Sequence, residues 1–198
     1  MVALRLIVGL GNPGPRYDGA PHNVGAEFVE ALASRFRIQL TDEPRFKGRL
    51  GRGAILGHDL RLLIPNTFMN LSGESVGAVA TFYKFAPAEI LVAHDEMAFE
   101  PGVMRLKRDG GHNGHNGLRD IIGSLGNDAG FVRLRIGVGH PGDKDRVSGY
   151  LTGAKMRGDD RKKVQEAMVL SDQLVELICA GDIAKAMNVL HTSGNGDD

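Results

Sequence analysis

The chain has 198 residues, 42% of them hydrophobic, and equal numbers of acidic and basic side chains give a formal net charge of zero. This length can bury a sizeable core in one domain, and no apolar run approaches the roughly 20 residues that span a bilayer. No secretory signal pattern opens the sequence. We therefore predict a cytoplasmic protein with a single domain over residues 1–191 and a disordered tail over 192–198.

Six apolar runs predict strands, and helical patterns separate most of them. In chain order the strands are LRLIVGL, GAILG, LRLLIP, EILVAH, GVMRLK and FVRLRIGVG. GAILG and LRLLIP read as a hairpin across residues 57–59. Because strands alternate with helices, we expect an α/β fold with one twisted mixed sheet, largely parallel, that has one antiparallel hairpin and is flanked by helices.

The helix boundaries are predicted from capping residues and periodicity. Asn23 is expected to cap the first helix and Ser72 the second. A third, shorter helix is expected over residues 118–125. The stretch 159–190 is helical in pattern, with a break near Gly181.

The segment LIVGLGNPGPRYDGAPHN resembles the G-x-G-x-x-G dinucleotide fingerprint through Gly9, Gly11 and Gly14. A dinucleotide site needs a helix that starts within the glycine motif, so that its amide groups face the pyrophosphate. Here the first plausible helical residue is Val24, and the prolines before it lack N–H donors. The acidic residue expected about 20 positions on would fall near Glu30, inside the first helix. A nucleotide cofactor is therefore disfavoured, and we expect no cofactor.

Polar side chains follow several predicted strands. In open α/β sheets, ligands bind at the carboxyl ends of the strands. The candidates there are Asn12, His22, Asn66, Asn70, Asp95, His112, Asn113, His115 and Asn116.

Three kinds of chemistry can be compared for these residues. His112 and His115 form an H-x-x-H pair that could hold zinc with Asp95, but such pairs usually lie within a helix and these lie among glycines. No serine has the strand-to-helix context of a nucleophile elbow. We therefore expect no metal and favour a single histidine base, oriented by a carboxylate and surrounded by amides. Taken alone, His22 is more typical of a helix-capping histidine without chemistry, and only its combination with the other polar residues favours the base.

A histidine base is physically reasonable at position 22. The positive end of the following helix dipole should favour the neutral imidazole, which can take a proton from water. An aspartate that accepts from the other ring nitrogen would fix the tautomer. Asparagine amides can stabilise a developing oxyanion.

The charge is spread unevenly. Residues 105–163 contain 13 Lys and Arg against 7 Asp and Glu, whereas residues 164–198 contain 1 against 6. Such a basic region is typical of either a solvated face or a nucleic-acid contact, and charge alone favours the solvated face. The single cysteine, Cys179, lies in the apolar segment LVELICA and is expected to be buried rather than nucleophilic.

Five motifs in order, GLGNPGPRYDGAPHNVG, PNTFMNLSG, HDEM, GGHNGHNGLRDI and RLRIGVGHPGD, strongly resemble the bacterial peptidyl-tRNA hydrolase family. The resemblance runs from about Leu4 to Gly153 and is weaker beyond. It implies hydrolysis of the ester between a peptide and tRNA, which recycles tRNA for translation. It also implies an enzyme that is a monomer and needs no obligate protein partner or membrane.

The family roles carry over to matching positions of this sequence. His22 would be the general base and Asp95 its orienting partner. Asn12, Asn70 and Asn116 would hold the carbonyl and peptide main chain of the substrate. The cleft would be lined by Tyr17, Met69 and His115, and tRNA phosphates would be contacted by Arg105, Lys107 and Arg133.

The sequence departs from the family pattern in two places. Ala20 and Pro21 stand where the family usually has Thr-Arg, and Asn113 replaces a usual glycine. Pro21 removes a backbone donor and a positive charge beside the base, which could alter substrate affinity or loop mobility. Asn113 should be tolerated, because asparagine adopts left-handed geometry more readily than most residues.

An RNA-binding module is the main alternative, since chloroplast intron-splicing factors resemble this family and bind RNA without hydrolysing it. The presence of His22, Asp95 and the three asparagines favours the enzyme.

Overall fold

A computed structural model describes residues 1–153 and 155–192. Within these residues, one mixed sheet of seven strands is flanked by helices. The strands are β1 (Leu6–Gly9), β2 (Thr41–Glu43), β3 (Gly48–Ile55), β4 (His58–Pro65), β5 (Ile90–Glu96), β6 (Met104–Arg108) and β7 (Val132–Gly137). The helices are α1 (Val24–Arg35), α2 (Ser72–Tyr83), α3 (Asn116–Ser124), α4 (Val147–Thr152), α5 (Gly158–Ala167), α6 (Asp172–Cys179) and α7 (Ile183–Thr192).

The strand order is β2-β3-β4-β1-β5-β7-β6, and the four central strands are parallel. This confirms the predicted mixed sheet flanked by helices. The expectation of one antiparallel hairpin was incomplete, because β6 also runs antiparallel to β7 at the far edge. Only residues 97–103 separate β5 from β6. A parallel return needs a crossover of about a dozen residues or more, so β6 must reverse direction.

Several element boundaries differ from those predicted. The strand β2 and the helix α4 are too short to show a periodic pattern and were missed. The third helix begins at Asn116, earlier than expected. The helical stretch 159–190 is three helices, with breaks at residues 168–171 and 180–182. The turn between β3 and β4 is Leu56–Gly57, with φ of 48° and 85°, rather than 57–59.

The two faces of the sheet carry separate hydrophobic cores. One core packs the sheet against α1, α5, α6 and α7, and the other packs it against α2 and α3. Cys179 is fully buried in the first core, and burial raises the pKa of its thiol to about 12. The prediction of a buried cysteine is confirmed.

Glycines let α1 approach the sheet closely. A Cβ at Gly9 would lie 2.3 Å from the Gly25 carbonyl oxygen, and a Cβ at Gly25 would lie 2.1 Å from the Ala93 carbonyl oxygen. Helix α1 begins at Val24, as expected, well after the glycine motif. Gly9 therefore serves helix–sheet packing.

Among the described residues, no helix is long and apolar enough to cross a membrane. Helix α7 includes Thr192, the first residue of the expected disordered tail. The rest of that tail, residues 193–198, lies outside the described residues.

Candidate active site

The carboxyl ends of β4 and β5, the loop after β1, and the starts of α3 and α4 enclose a cleft of about 460 Å³. All eight residues predicted from the sequence as catalytic or substrate-contacting line it. They are Asn12, Tyr17, His22, Met69, Asn70, Asp95, His115 and Asn116.

His22 and Asp95 form a buried pair. His22 lies in the short 3-10 turn Pro21–Asn23 before α1, and Asp95 is near the end of β5. The His22 Nδ1–H donates to Asp95 Oδ1 at 2.7 Å, and the two residues are 8% and 3% exposed. With Nδ1 engaged as a donor, Nε2 is left as the basic nitrogen.

A second imidazole binds the same carboxylate oxygen. The His115 Nδ1 accepts from the Leu118 N–H at 3.3 Å, so its proton is on Nε2, which donates to Asp95 Oδ1 at 3.0 Å. The His22 and His115 ring centroids are 5.1 Å apart. The position of Asp95 is therefore fixed from two sides.

The charges of this cluster depend on one another. Burial opposes the charged form of His22, but the negative charge of Asp95 and its hydrogen bond outweigh burial and raise the pKa of His22. Burial alone would raise the pKa of Asp95, yet the charges and hydrogen bonds of His22 and His115 lower it. We expected the helix dipole to hold His22 neutral. The pairing with Asp95 has the larger effect on the pKa of His22 and favours the imidazolium.

His94 is a site residue that sequence reasoning missed. Its Nδ1–H donates to the Asp95 carbonyl oxygen at 2.8 Å, and its ring centroid is 5.0 Å from that of His115. Burial, followed by the repulsion that a protonated His115 would exert, lowers the pKa of His94 to about 3, so this ring stays neutral. It lies within the apolar run EILVAH, where a pattern cannot separate it from ordinary strand residues.

The zinc alternative is not supported by the positions of the histidines. The structure does not bring His112 to Asp95; its Nδ1 accepts from the Gly114 N–H. His22, Asp95 and His115 do have ligand atoms within 4.8 Å of one another. However, the nitrogen of each ring that faces Asp95 lies at hydrogen-bond distance from its Oδ1, 2.7 Å for His22 and 3.0 Å for His115. The geometry favours a hydrogen-bonded network.

Asn12 is held in place by its neighbours. The Asn23 side chain accepts from the Asn12 N–H and donates to the Asn12 carbonyl, each at 2.9 Å. Asn12 Oδ1 in turn accepts from the Met69 N–H at 2.7 Å. Among the described residues the Asn12 NH₂ group has no partner, so it is available to a ligand in the cleft.

The structure bears on two predicted caps. Asn23 stands at the N-cap position of α1, as predicted, but its side chain holds Asn12 and makes no capping bond to the helix. Ser72 is the first residue of α2 rather than its cap, and its hydroxyl donates to the Met69 carbonyl. Asn113 has φ of 48°, which confirms that it adopts the left-handed conformation.

Basic side chains lie on one face of β6 and β7. Register pairs Arg105 with Arg135 and Lys107 with Arg133, so all four point the same way. Arg105 and Lys107 are partly exposed, as a phosphate contact requires. Arg135 was not singled out from the sequence; it pairs with Glu96, which lines the cleft.

Arg133, the third predicted phosphate contact, is enclosed by protein. It is 2% exposed, and its guanidinium donates to the carbonyl oxygens of Asp109, Gly110 and Ala129. Burial is also the main reason that its pKa is lowered. These contacts hold the turn after β6 and argue against a direct phosphate contact.

The fold and site define an α/β enzyme with a histidine–carboxylate pair in an amide-lined cleft. The family model for peptidyl-tRNA hydrolase matches residues 6–197. The peptidyl-tRNA hydrolases of Psychromonas ingrahamii and Salmonella heidelberg are 50% and 51% identical over 191 residues, which cover 96% of this chain and 96% and 98% of theirs. The crystal structure of peptidyl-tRNA hydrolase from Acinetobacter baumannii superposes with a TM-score of 0.91 at 48% identity, over 96% of each chain. The chain belongs to the peptidyl-tRNA hydrolase family, whose members are hydrolases that act on ester bonds.

Proposed function

We propose that this protein hydrolyses the ester bond between a peptide and the terminal ribose of tRNA, with His22 as general base. The observation that carries the proposal is the hydrogen bond from His22 Nδ1 to buried Asp95, which leaves Nε2 free in the cleft. The released tRNA would return to translation. The proposal includes action in the cytoplasm as a monomer, without a cofactor, a metal or an obligate protein partner.

The reaction needs one proton acceptor and one group that stabilises the oxyanion. His22 Nε2 takes a proton from water as the water oxygen attacks the ester carbonyl carbon. Asp95 stabilises the imidazolium that forms. When the tetrahedral intermediate collapses, the bond to the ribose oxygen breaks, and His22 returns the proton to that oxygen.

Amide groups are suited to the developing oxyanion. Asn12 offers an NH₂ group from a fixed position, and Asn70 lies beside Met69 on the same wall. Asn116 is the first residue of α3 and lies at the positive end of that helix. The asparagine amides that do not contact the ester carbonyl would form hydrogen bonds with the peptide main chain.

The direct test is incubation with N-acetyl-aminoacyl-tRNA in the presence of EDTA. We expect release of free tRNA and N-acetyl amino acid at an undiminished rate, because imidazole and amides supply the chemistry. Tight tRNA binding without cleavage would favour the RNA-binding module instead. Activity lost to EDTA and restored by zinc would contradict the metal-free mechanism.

The pKa of His22 predicts the pH dependence. A base must be neutral, so kcat/KM should fall as pH drops through the His22 pKa, which Asp95 raises. In Asp95→Asn the negative charge that raises the pKa of His22 is absent, whereas burial, which lowers this pKa, remains. The acidic limb of the kcat/KM profile should therefore move to lower pH, and the plateau rate should also fall. Glu96→Gln is the matched control, and its limb should stay in place. A limb that stayed in place or moved to higher pH in Asp95→Asn would contradict this pairing.

The exposed cations of β6 predict a salt effect. Arg105→Ala with Lys107→Ala should weaken tRNA binding and flatten its salt dependence, because each duplex phosphate contact contributes about 0.9 to the slope of log K against log salt. Arg133→Ala should instead lower thermal stability, since it removes the buried partner of three carbonyls. An unchanged slope in the double variant would assign Arg105 and Lys107 to an ordinary solvated face.

A further inference from the structure

A second cleft, of about 710 Å³, lies beside the active site on the other side of α4. Pro21 lines this cleft, whereas His22, the next residue, lines the active site. Helix α4 is the shared wall: Val147, Ser148, Leu151 and Thr152 face the active site, and Gly149 and Tyr150 face the second cleft.

The second cleft is rich in available cations. Arg146, Lys155 and Arg157 line it and are exposed, and none of them forms an ion pair with any residue that the structure describes. The backbone beside two of them is anchored to the catalytic loop, since the Met156 N–H donates to the Gly19 carbonyl at 3.1 Å. These cations therefore stand beside the loop that carries His22.

The same cleft also has features that suit a base. The ring of Tyr150 lines it, held by a hydrogen bond from its hydroxyl to the Val138 carbonyl, and can offer a stacking face. Two carboxylates, Glu100 and Asp160, lie close enough to Tyr150 to raise its pKa, after the larger effect of burial. Carboxylates accept hydrogen bonds from exocyclic amino groups of bases. Cations, an aromatic face and carboxylates together match a nucleotide better than a bare anion.

The position of the cleft indicates which part of the substrate would reach it. Pro101 lines both this cleft and the next cavity, which also contains Arg105 and Lys163. The second cleft thus lies between the active site and Arg105, the cation already proposed for tRNA. The acyl arm of the ester needs the amides of the active site, which leaves the cationic cleft across α4 to the RNA arm.

We infer that this cleft is a nucleotide subsite for the unpaired 3′ strand of the substrate RNA. Lys155, Arg157 and Arg146 hold a phosphodiester next to the esterified nucleotide. The base, one with an amino group such as cytosine or adenine, stacks on Tyr150. This inference rests on the proposed function. The cations of this subsite also place positive charge beside the catalytic loop, where this sequence has Pro21 instead of the arginine usual in the family.

The test measures binding of uncharged RNA hairpins, one with a four-nucleotide 3′ overhang of cytidine and adenosine and one blunt. Lys155→Ala with Arg157→Ala should weaken binding of the overhang hairpin about tenfold and leave the blunt hairpin unchanged. The slope of log K against log salt should fall by about 0.7 for each single-strand phosphate that the variant no longer neutralises. The charge-matched control is Arg52→Ala with Lys185→Ala, both exposed and absent from the described lining of the cleft, and it should affect neither hairpin.

Base recognition is tested separately with Tyr150→Phe, Tyr150→Leu and an overhang of uridines. Tyr150→Phe keeps the aromatic ring and should bind both hairpins like the parent protein. Tyr150→Leu should lose severalfold in affinity for the overhang hairpin and none for the blunt hairpin. The uridine overhang should bind more weakly to the parent protein. Equal weakening of overhang and blunt hairpins, or no effect of the Lys155 and Arg157 changes, would overturn the subsite. Because these RNAs carry no ester, failure of the proposed hydrolysis would be seen independently, with N-acetyl-aminoacyl-tRNA.

Discussion

His22→Ala should lower the rate of ester hydrolysis about 10²- to 10⁴-fold, the range contributed by a general base, while tRNA affinity stays nearly unchanged. The imidazole acts on water in the transition state and is 8% exposed, so it offers little surface to bound RNA. Single-turnover hydrolysis of N-acetyl-aminoacyl-tRNA separates this chemical step from product release.

The matched control is His112→Ala. His112 lies in the same GGHNGHNGL segment as His115, but its ring accepts from the Gly114 N–H and it is not among the described residues that line the active cleft. We expect near-parent rates for this variant. A near-normal single-turnover rate in His22→Ala would show that another group is the base. A large loss in His112→Ala would revive a role for the H-x-x-H pair.

The position of the site could be predicted from the sequence because it follows from topology. Parallel strands that end in polar residues bring those residues to one edge of the sheet, whatever the details of packing. This is why Asn12, Asn70 and Asp95 meet in one cleft although their sequence separations are large. The ordered motifs then identified the family, which no single motif could do.

The hydrogen-bond pattern could not be predicted in the same way. That His22 and His115 share one oxygen of Asp95 depends on side-chain positions within tenths of an ångström. The bond from His94 to the Asp95 carbonyl likewise depends on the local path of β5. Local patterns placed Asn23 correctly before α1 but could not show that its side chain bonds to Asn12 instead of to the helix, and they placed the start of α2 one residue late.

The two arginines of RLR in β7 show the same limit. Alternation puts Arg133 and Arg135 on one face, and nothing in the pattern says which is exposed. The turn after β6 covers Arg133 and supplies it with carbonyl partners, whereas Arg135 reaches Glu96 near the cleft. Tertiary packing sets the exposure of each arginine, so the sequence could not show that Arg133 is buried.

The cleft should discriminate between blocked and free aminoacyl-tRNA. Its described lining contains two carboxylates, Asp95 and Glu96. Asp95 is bound by two imidazoles and Glu96 by Arg135, so neither is spare to receive a charged α-ammonium group. The asparagines can pair with a neutral peptide amide, but they leave an ammonium charge uncompensated.

We therefore expect N-acetyl-aminoacyl-tRNA to be cleaved at least about tenfold faster than the free aminoacyl-tRNA. Burying an unpaired charge costs several kcal/mol, and about 1.4 kcal/mol already corresponds to a tenfold change in rate. The measurement is kcat/KM for both esters of the same tRNA. Arg135→Gln releases Glu96 and should narrow the ratio by improving cleavage of the free ester. Equal cleavage of both esters by the parent protein would leave the hydrolase intact but contradict this account of the cleft, because the amides would then not be what selects the acyl group.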